Sequence, residues 1–375
     1  RLKLLLAVLL YTVVGLAPTR PLAEMNLPGG LPDGSLISFY FRHQGNDNKA
    51  ESVNISFYNF AAIGIDEMAK KEITSIIAHI RIDREGDPQI ITDTYVNGDW
   101  QNKHPSKYDQ GYLNRGVRFD LMPSNGLWRL DVYKHNFERM TMFFQGFWLG
   151  PRKFFMPLTD IRSVYVASQY IVPDSVKIEL KLPKANLPPL SWNRLTTLIL
   201  NENHQSYTYD YDMTTIPSFP VGARLEMSAV MYAPFFHTKF PAINFKSTID
   251  SNIFLNIIAQ WTDSWMQFFI GSPIEALNRP RSTDYPYQYE FPLEFQCTKD
   301  TRPKGDLNTL RLVRNTEQQV QLHLFYSQVT GESDVYCNYT LREDLARYMN
   351  SPFILRSHFG ATLLHFNVHI PEEGN

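Results

Sequence analysis

The segment Val176-Lys177-Ile178-Glu179-Leu180-Lys181-Leu182 alternates apolar and charged residues without a break. Residues 117–121, 320–324 and 364–370 repeat the same alternation of apolar and polar side chains. Successive side chains of a strand point to opposite faces of its sheet, so this period of two predicts one face in a core and one in water. The pattern is typical of antiparallel strands in β-sandwiches.

Size and composition indicate an all-β protein with more than one core. The chain has 375 residues, of which 43% are hydrophobic and 14% aromatic, so it can bury large cores and is not disordered as a whole. The 24 prolines are spread as turn residues between short segments. Helical periodicity is scarce, and only residues 66–71 and 341–348 are predicted to form short helices.

The chain also contains two diverged copies of one unit. Three pairs of short segments match each other and occur in the same order: 31–36 with 219–225, 76–79 with 257–260, and 156–161 with 351–355. A stretch rich in proline and polar residues separates the copies. We therefore predict a first domain at 26–182, a linker at 183–214 and a second domain at 215–375.

The charges of the chain are balanced. Lys and Arg number 36 and Asp and Glu 38, for a net charge of -2, and no block of like charge occurs. Nothing in this balance favours nucleic acid or an anionic membrane surface as a partner. Neutral ligands or other proteins fit it better.

The first residues have the features of a secretory signal peptide. Arg1-Leu2-Lys3 is basic, residues 4–16 are apolar, and Gly15-Leu16-Ala17-Pro18 supplies small residues near the end. The apolar run is shorter than the ~20 residues of a membrane span. We predict a signal peptide at 1–25, secretion to the extracellular space, and no integral membrane segment after its removal. An uncleaved anchor or a buried strand is the alternative.

Glycosylation and disulfide chemistry fit the same compartment. Asn54-Ile55-Ser56 and Asn338-Tyr339-Thr340 are N-glycosylation sequons and predict a glycoprotein. The only two cysteines, Cys297 and Cys337, are predicted to form one disulfide in an oxidising compartment. A pair of buried free thiols is the alternative, and no Cys/His spacing indicates a zinc site.

Residues 73–104 carry an order of features that resembles a known family. An apolar strand ends in Ala78-His79-Ile80-Arg81-Ile82-Asp83, a turn and a second apolar strand follow, and then Asn97-Gly98-Asp99-Trp100. This order resembles the sugar-binding core of galectins, which are β-galactoside lectins. Their motif runs His-x-Asn-x-Arg on one strand, Asn on the next, and then Trp-x-x-Glu-x-Arg. The resemblance implies an all-β fold of two jelly-roll (concanavalin/galectin-like) β-sandwich domains in tandem.

The resemblance also implies a carbohydrate site in the first domain. A pyranose packs its C–H face on an aromatic plane, while its hydroxyls need fixed donors and acceptors on rigid strands. Only His79 and Trp100 keep the residues of the motif, and the charge signs are reversed at two positions. We predict a degenerate galactoside site of altered specificity with these residues: His79, Arg81, Asp83, Asp93, Trp100 and Lys103.

The second copy departs further from the family motif. Gln260 takes the position of the histidine, Thr262 and Ser264 follow it, and no tryptophan aligns with Trp100. No sugar site of the family type is expected in this copy.

These features predict a secreted, lectin-like carbohydrate-binding protein that is not an enzyme and needs no cofactor or metal. Its expected partners are glycans or glycoproteins. The first alternative is an interaction or structural protein that keeps the fold, has lost sugar recognition and binds other proteins. In that case Trp100 is a packing residue and His79 a hydrogen-bonded structural histidine.

A secreted glycosyltransferase is the remaining alternative. Asp210-Tyr211-Asp212 contains the Asp-x-Asp triplet, whose carboxylates can hold a divalent cation against a diphosphate. The triplet is common by chance and lies in the predicted linker, without an alternating β/α pattern around it. No nucleophile elbow, zinc-protease helix or phosphate-binding glycine loop occurs either.

Overall fold

A computed structural model of the chain describes residues 22–42, 51–58, 75–82, 89–96, 99–100, 127–136, 139–144, 147–153, 161–167, 172–184, 211–231, 241–261, 266–272, 307–325, 334–358 and 361–372. These residues form 21 strands in four antiparallel sheets, so the predicted all-β class is confirmed. Helical structure within them is limited to a 3₁₀ turn at Pro173–Ser175, helix α1 at Glu343–Ala346 and a second 3₁₀ turn at Arg347–Asn350. The last two coincide with the helix predicted at 341–348, whereas 66–71 lies outside the described residues.

Two sheets come from the first half of the chain. Sheet I has the strand order β1 (Ala23–Asn26), β10 (Ser163–Ala167), β3 (Glu51–Tyr58), β4 (Ser75–Ile82), β5 (Gln89–Val96), β6 (Asp99–Trp100). Sheet II has the order β11 (Lys177–Lys181), β2 (Leu36–Arg42), β7 (Leu127–Lys134), β8 (Arg139–Phe144), β9 (Phe147–Lys153).

Two further sheets come from the second half. Sheet III has the order β12 (Tyr211–Ile216), β20 (Phe353–His358), β14 (Ala242–Ser247), β15 (Ile253–Trp261), β16 (Met266–Gly271). Sheet IV has the order β21 (Ala361–His369), β13 (Arg224–Met231), β17 (Leu307–Arg314), β18 (Gln319–Phe325), β19 (Asp334–Thr340). Strands β12–β21 correspond in chain order to β1–β5 and β7–β11. With this correspondence, sheet III has the strand order of the first five strands of sheet I, and sheet IV has that of sheet II.

The two halves also share a turn in front of β2 and of β13. Gly34 and Gly222 have φ values of 83° and 84°, which glycine adopts without strain. The amide of Gly34 donates to the carbonyl of Lys134, and that of Gly222 to the carbonyl of Arg314, each across 2.7 Å. Lys134 and Arg314 are the last residues of β7 and β17, and the side chains of both are buried. The repeat seen in the sequence is therefore a repeat of local three-dimensional structure.

By contacts the chain divides into two units. The first comprises Arg1–Leu31, Arg42–Tyr108 and Phe154–Ile178, and it holds sheet I. The second comprises Pro32–Phe41, Asp109–Lys153 and Glu179–Asn375, and it holds sheets III and IV and all but the end residues of sheet II. Most of the predicted linker falls on 185–210, outside the described residues, and the predicted domain boundaries stay predictions.

Sheets III and IV of the second unit pack face to face around one core. Phe245 and Phe254 of sheet III and Leu225 and Leu310 of sheet IV are fully buried in the same apolar cluster. The Phe254 ring stacks on Tyr348, with ring centroids 5.3 Å apart. These two sheets therefore form a β-sandwich.

Sheet IV is also covered on its other face, by sheet II. A separate buried cluster joins residues of both sheets: Leu36, Tyr133, Phe143, Val230, Leu307 and Leu364. This second layer explains why β13 is buried at successive positions from Met227 to Met231, whereas a strand with one face in water is buried at alternate positions.

Candidate functional site

The predicted carbohydrate-binding positions lie on three neighbouring strands of sheet I. His79 and Arg81 are in β4, Asp93 is in β5 and Trp100 is in β6. Asp83 and Lys103, the other two predicted positions, lie outside the described residues.

The strand registers place these four positions on one face of sheet I. Asp93 is opposite Ile77, and Trp100 is opposite Tyr95. Residues directly opposite each other in a sheet share a face, and so does every second residue along a strand. His79 and Arg81 are separated from Ile77 by two and four residues, so they fall on the same face as Asp93 and Trp100.

This face is opposite the one that holds Ile55 and Phe57, although Ser163 and Tyr165 of β10, which lie on it, are also buried. Ile55 and Phe57 of β3 are fully buried, as are their partners Val166 and Val164 of β10. Asn54 alternates with them and is directly opposite His79. We call the surface on the side of Asn54 and His79, on which Ile77 and Ile91 also lie, the polar face of sheet I.

The described side chains at the other end of the polar face are polar and aromatic. Glu24 of β1 is exposed, and it is opposite Tyr165, which in turn is opposite Ser56. The rings of Tyr58 and Tyr165 meet edge to face, with centroids 5.0 Å apart. Burial raises the pKa of Tyr165, and the Glu24 carboxylate adds to this shift. The Tyr165 phenol is therefore neutral at physiological pH.

The candidate positions run diagonally across the strands of the sheet. With a strand spacing of about 4.8 Å and a rise of about 3.4 Å per residue, the Cα atoms of His79 and Asp93 are about 8 Å apart. The same geometry separates the Cα atoms of His79 and Trp100 by about 17 Å. That length suits a chain of several sugar rings better than a single ring.

Sheet III carries a polar row that the sequence motifs did not indicate. The registers place Asp212, Arg356, Asn244 and Asn256 side by side across four strands. Asn244 and Asn256 are buried, and among the described residues the Oδ1 atom of each has no hydrogen-bond partner. An unpaired buried amide oxygen costs about 1–3 kcal/mol. In the sequence, Asn244 and Asn256 were visible only as polar residues within apolar strands. That pattern predicts neither the burial of the side chain nor its hydrogen bonding.

The same row contains the second carboxylate of the Asp-x-Asp triplet. The Asp212 carboxylate lies 3.7 Å from Arg356 Nε and 4.0 Å from Lys246 Nζ. Two cations therefore occupy the neighbourhood in which a glycosyltransferase would hold its metal. Asp210, Thr262 and Ser264 lie outside the described residues, and Gln260 is on β15 opposite Gln267. Among the side chains that the structure describes, no three His, Cys, Asp or Glu residues form a metal-binding group.

A second polar cluster lies between sheets II and IV, within the second unit. The Arg129 guanidinium is 2.7 Å from the Asp131 carboxylate, and both side chains are buried. Ser38 donates a hydrogen bond to Asp131, and Tyr40 donates one to Glu179 across 3.4 Å. Burial raises the pKa of the Tyr40 phenol despite the nearby Arg129 guanidinium.

Two bases in this cluster have strongly lowered pKa values. Burial, with the neighbouring Arg129 charge, lowers the pKa of Lys181 to about 8. Burial, with the charges of Lys181 and Lys184, lowers the pKa of His365 to about 4. A lysine pKa near neutrality is common at catalytic sites. Lys181, however, donates to Ser228 within a closely packed layer, which is the environment of a structural group.

The predicted modification sites differ in their surroundings. Asn338 is exposed on β19, the edge strand of sheet IV, whereas Asn54 is on β3, between β10 and β4. Cys337 on β19 is disulfide-bonded. Cys297 lies outside the described residues. The described part of the chain contains no helix of the length and hydropathy needed to cross a membrane.

The comparisons with known proteins give structural matches only. No family model and no curated protein matches the sequence. The structure of sheep galectin-11 in complex with glycerol matches with a TM-score of 0.30 and 8% sequence identity. The match covers 43% of this chain and 97% of the galectin chain.

Proposed function

We propose that this protein is a secreted, non-enzymatic glycan-binding protein and that the polar face of sheet I holds the glycan. One observation carries the proposal. The strand registers bring His79, Arg81, Asp93 and Trp100 to one face, although they come from three strands, and the alternate positions of β3 are buried.

The residue types at these positions suit a neutral, hydroxyl-rich ligand. A carboxylate accepts hydrogen bonds from sugar hydroxyls, a guanidinium donates them, and an indole ring packs on the C–H face of a pyranose. In this proposal Asp93, Arg81 and Trp100 supply these three functions. The diagonal arrangement of the positions favours an extended oligosaccharide, so glycans or glycoproteins are the expected partners.

Secretion is part of the proposal and rests on the amino-terminal residues and the two sequons. Production in a secretory host tests it directly, because a secreted product recovered from the medium carries a new amino terminus after cleavage. Removal of the signal peptide predicted at 1–25 would make Asn26 the first residue. Ala23–Asn26 form β1 of sheet I, so a terminus at or before Ala23 would keep that strand. Retention of the whole product inside the cell would contradict secretion.

The experiment for binding is a glycan array with the purified protein, followed by calorimetry of any ligand found. Trp100→Ala should weaken binding about fivefold, because stacking on an aromatic ring contributes about 1 kcal/mol. Its melting temperature should match that of the wild type, as should that of the control Arg342→Ala, whose side chain is exposed. An array without any bound glycan would contradict the proposal.

The same variant separates the lectin from its principal alternative. If Trp100 is a packing residue of a protein-binding scaffold, its replacement by alanine should cost about 3–5 kcal/mol of unfolding free energy. The scaffold alternative is favoured by the loss of five of the seven motif residues. The glycosyltransferase alternative is disfavoured by the cations beside Asp212.

A further inference from the structure

Asn54 and His79 are directly opposite each other on adjacent antiparallel strands. Asn54 begins the sequon Asn54-Ile55-Ser56. Opposed residues of a sheet have Cβ atoms about 4.5–5.5 Å apart and share a face. A residue that can carry an N-linked glycan therefore lies beside a residue proposed to bind one.

The position of β3 within sheet I keeps a glycan on Asn54 close to the candidate binding residues. β3 is flanked by β10 on one side and β4 on the other, so Asn54 is not at the rim of the sheet. Ile55, the next residue, is fully buried and belongs to the opposite face of the sheet. By strand spacing, the Cα atoms of Asn54 and Asp93 are about 12 Å apart. A core glycan spans that distance.

We propose that an N-linked glycan on Asn54 covers the polar face of sheet I and competes there with free glycans. The proposal rests on the proposed function, because it concerns regulation of the same site. An attached competitor acts at an effective concentration in the millimolar range. If the dissociation constant of the attached glycan is about a tenth of that effective concentration, the apparent affinity for a free glycan falls about tenfold. Trimming or absence of this one glycan would then raise the apparent affinity of the site for free glycans.

Asn338 provides a matched control within the same chain. It begins the other sequon, its side chain is exposed, and it lies on an edge strand of sheet IV in the other unit. A glycan on Asn338 has the same chemistry without the same neighbours. Its removal should leave the polar face of sheet I unchanged.

The first experiment measures occupancy and binding. The wild type, Asn54→Gln and Asn338→Gln are produced in a secretory host, and glycopeptides are identified by mass spectrometry. We expect Asn54 to be occupied and Asn54→Gln to bind its best array glycan about tenfold more tightly than the wild type, with Asn338→Gln unchanged. An unoccupied Asn54, or equal affinities of the wild type and Asn54→Gln, would overturn the proposal.

The second experiment tests coverage of the face without any binding assay. Folded wild-type protein is treated with an endoglycosidase that leaves a single N-acetylglucosamine, which avoids a variant that fails to fold. Carbethoxylation of histidines by diethyl pyrocarbonate is then followed by mass spectrometry. Trimming should raise the labelling rate of His79 at least about threefold, because an N-glycan is bulky, and should leave that of exposed His369 unchanged.

The two experiments distinguish the two proposals. Faster His79 labelling after trimming, with no glycan bound by any form, supports coverage of the face and contradicts the glycan-binding function. Unchanged His79 labelling contradicts coverage, whatever the array shows.

Discussion

Lys181 Nζ donates a hydrogen bond to Ser228 Oγ across 2.9 Å and thereby joins β11 of sheet II to β13 of sheet IV. Ser228 is fully buried, and its register partner on β21 is His365. The charged groups around this bond are three carboxylates and three cations: Asp131, Glu179, Glu226, Arg129, Lys181 and Arg311. Of these groups Arg129 and Asp131 are buried, and because charges removed from water must be paired, we expect the layer to tolerate little displacement at this pair.

Asp131→Asn should be strongly destabilising. The substitution leaves the Arg129 guanidinium buried without its nearest anion, and breaking a buried pair in this way costs about 3–5 kcal/mol. Urea unfolding measures the change. Asp344→Asn is the control, because Asp344 and Arg342 form an exposed pair whose loss should cost under about 1 kcal/mol. Equal effects of the two substitutions would show that the Arg129–Asp131 pair is not buried.

Stability should rise with pH through an acidic window set by His365. Its pKa is about 4 in the folded protein and about 6.5 when unfolded, so between these values the unfolded state binds more protons. Lowering the pH from 6.5 to 4 should therefore destabilise the protein. His365→Gln should reduce the slope of melting temperature against pH in this window, whereas His369→Gln, at an exposed position, should not.

Lys181 should produce a second pH range, at alkaline pH, in which stability again rises with pH. Its folded pKa of about 8 lies below the ordinary value of 10.5, so the unfolded state again binds more protons between these two values. Stability should rise with pH across this range. Lys181→Met removes the titrating group, and chemical unfolding at pH 8 and 10 should then show a smaller difference than in the wild type. If the difference in stability between pH 8 and pH 10 is unchanged, a group other than Lys181 causes it.

Gly222→Ala should destabilise the turn before β13. A Cβ at this position meets Pro371 Cγ at 3.3 Å, and the residue has φ of 84°. A left-handed conformation costs a non-glycine residue about 1–2 kcal/mol. Thermal unfolding should show a loss of this size for Gly222→Ala and for Gly34→Ala. Gly29→Ala should be nearly neutral, since a Cβ there meets no atom of the described residues within 4 Å.

The predicted disulfide is tested by peptide mapping. Cys337 is disulfide-bonded on β19, and the sequence contains one other cysteine. Digestion under non-reducing conditions should release a peptide that joins Cys297 to Cys337. The Cys337→Ser variant should lose about 2–5 kcal/mol of stability. Free thiols in the denatured, unreduced protein would contradict the pairing.

The elements that could be predicted are those with a local signature. Residues 176–182, 320–324 and 364–370 alternate, and strands β11, β18 and β21 occur there. The segments around Gly34 and Gly222 also matched each other in the sequence, and the structure shows that each contains a turn with a glycine of positive φ. Such features depend on neighbours along the chain and not on the partner strand.

The candidate site was only partly visible in the same way. His79 and Trp100 could be chosen by resemblance to a motif, and Asn54 by its sequon. Their common face depends on register, and a slip of one residue would place Asn54 and His79 on opposite faces. Pairing between strands that are distant along the chain sets that register.

Burial by distant segments decided the remaining properties. Nothing near Asn256 in the chain indicates that its amide oxygen is buried, with no hydrogen-bond partner in the part of the chain that the structure describes. Likewise, the lowered pKa of Lys181 arises because sheet IV lies over β11 and removes the ammonium from water. Alternation along a strand establishes which residues can face a core, but desolvation depends on what packs against them, and only the folded chain brings those groups together.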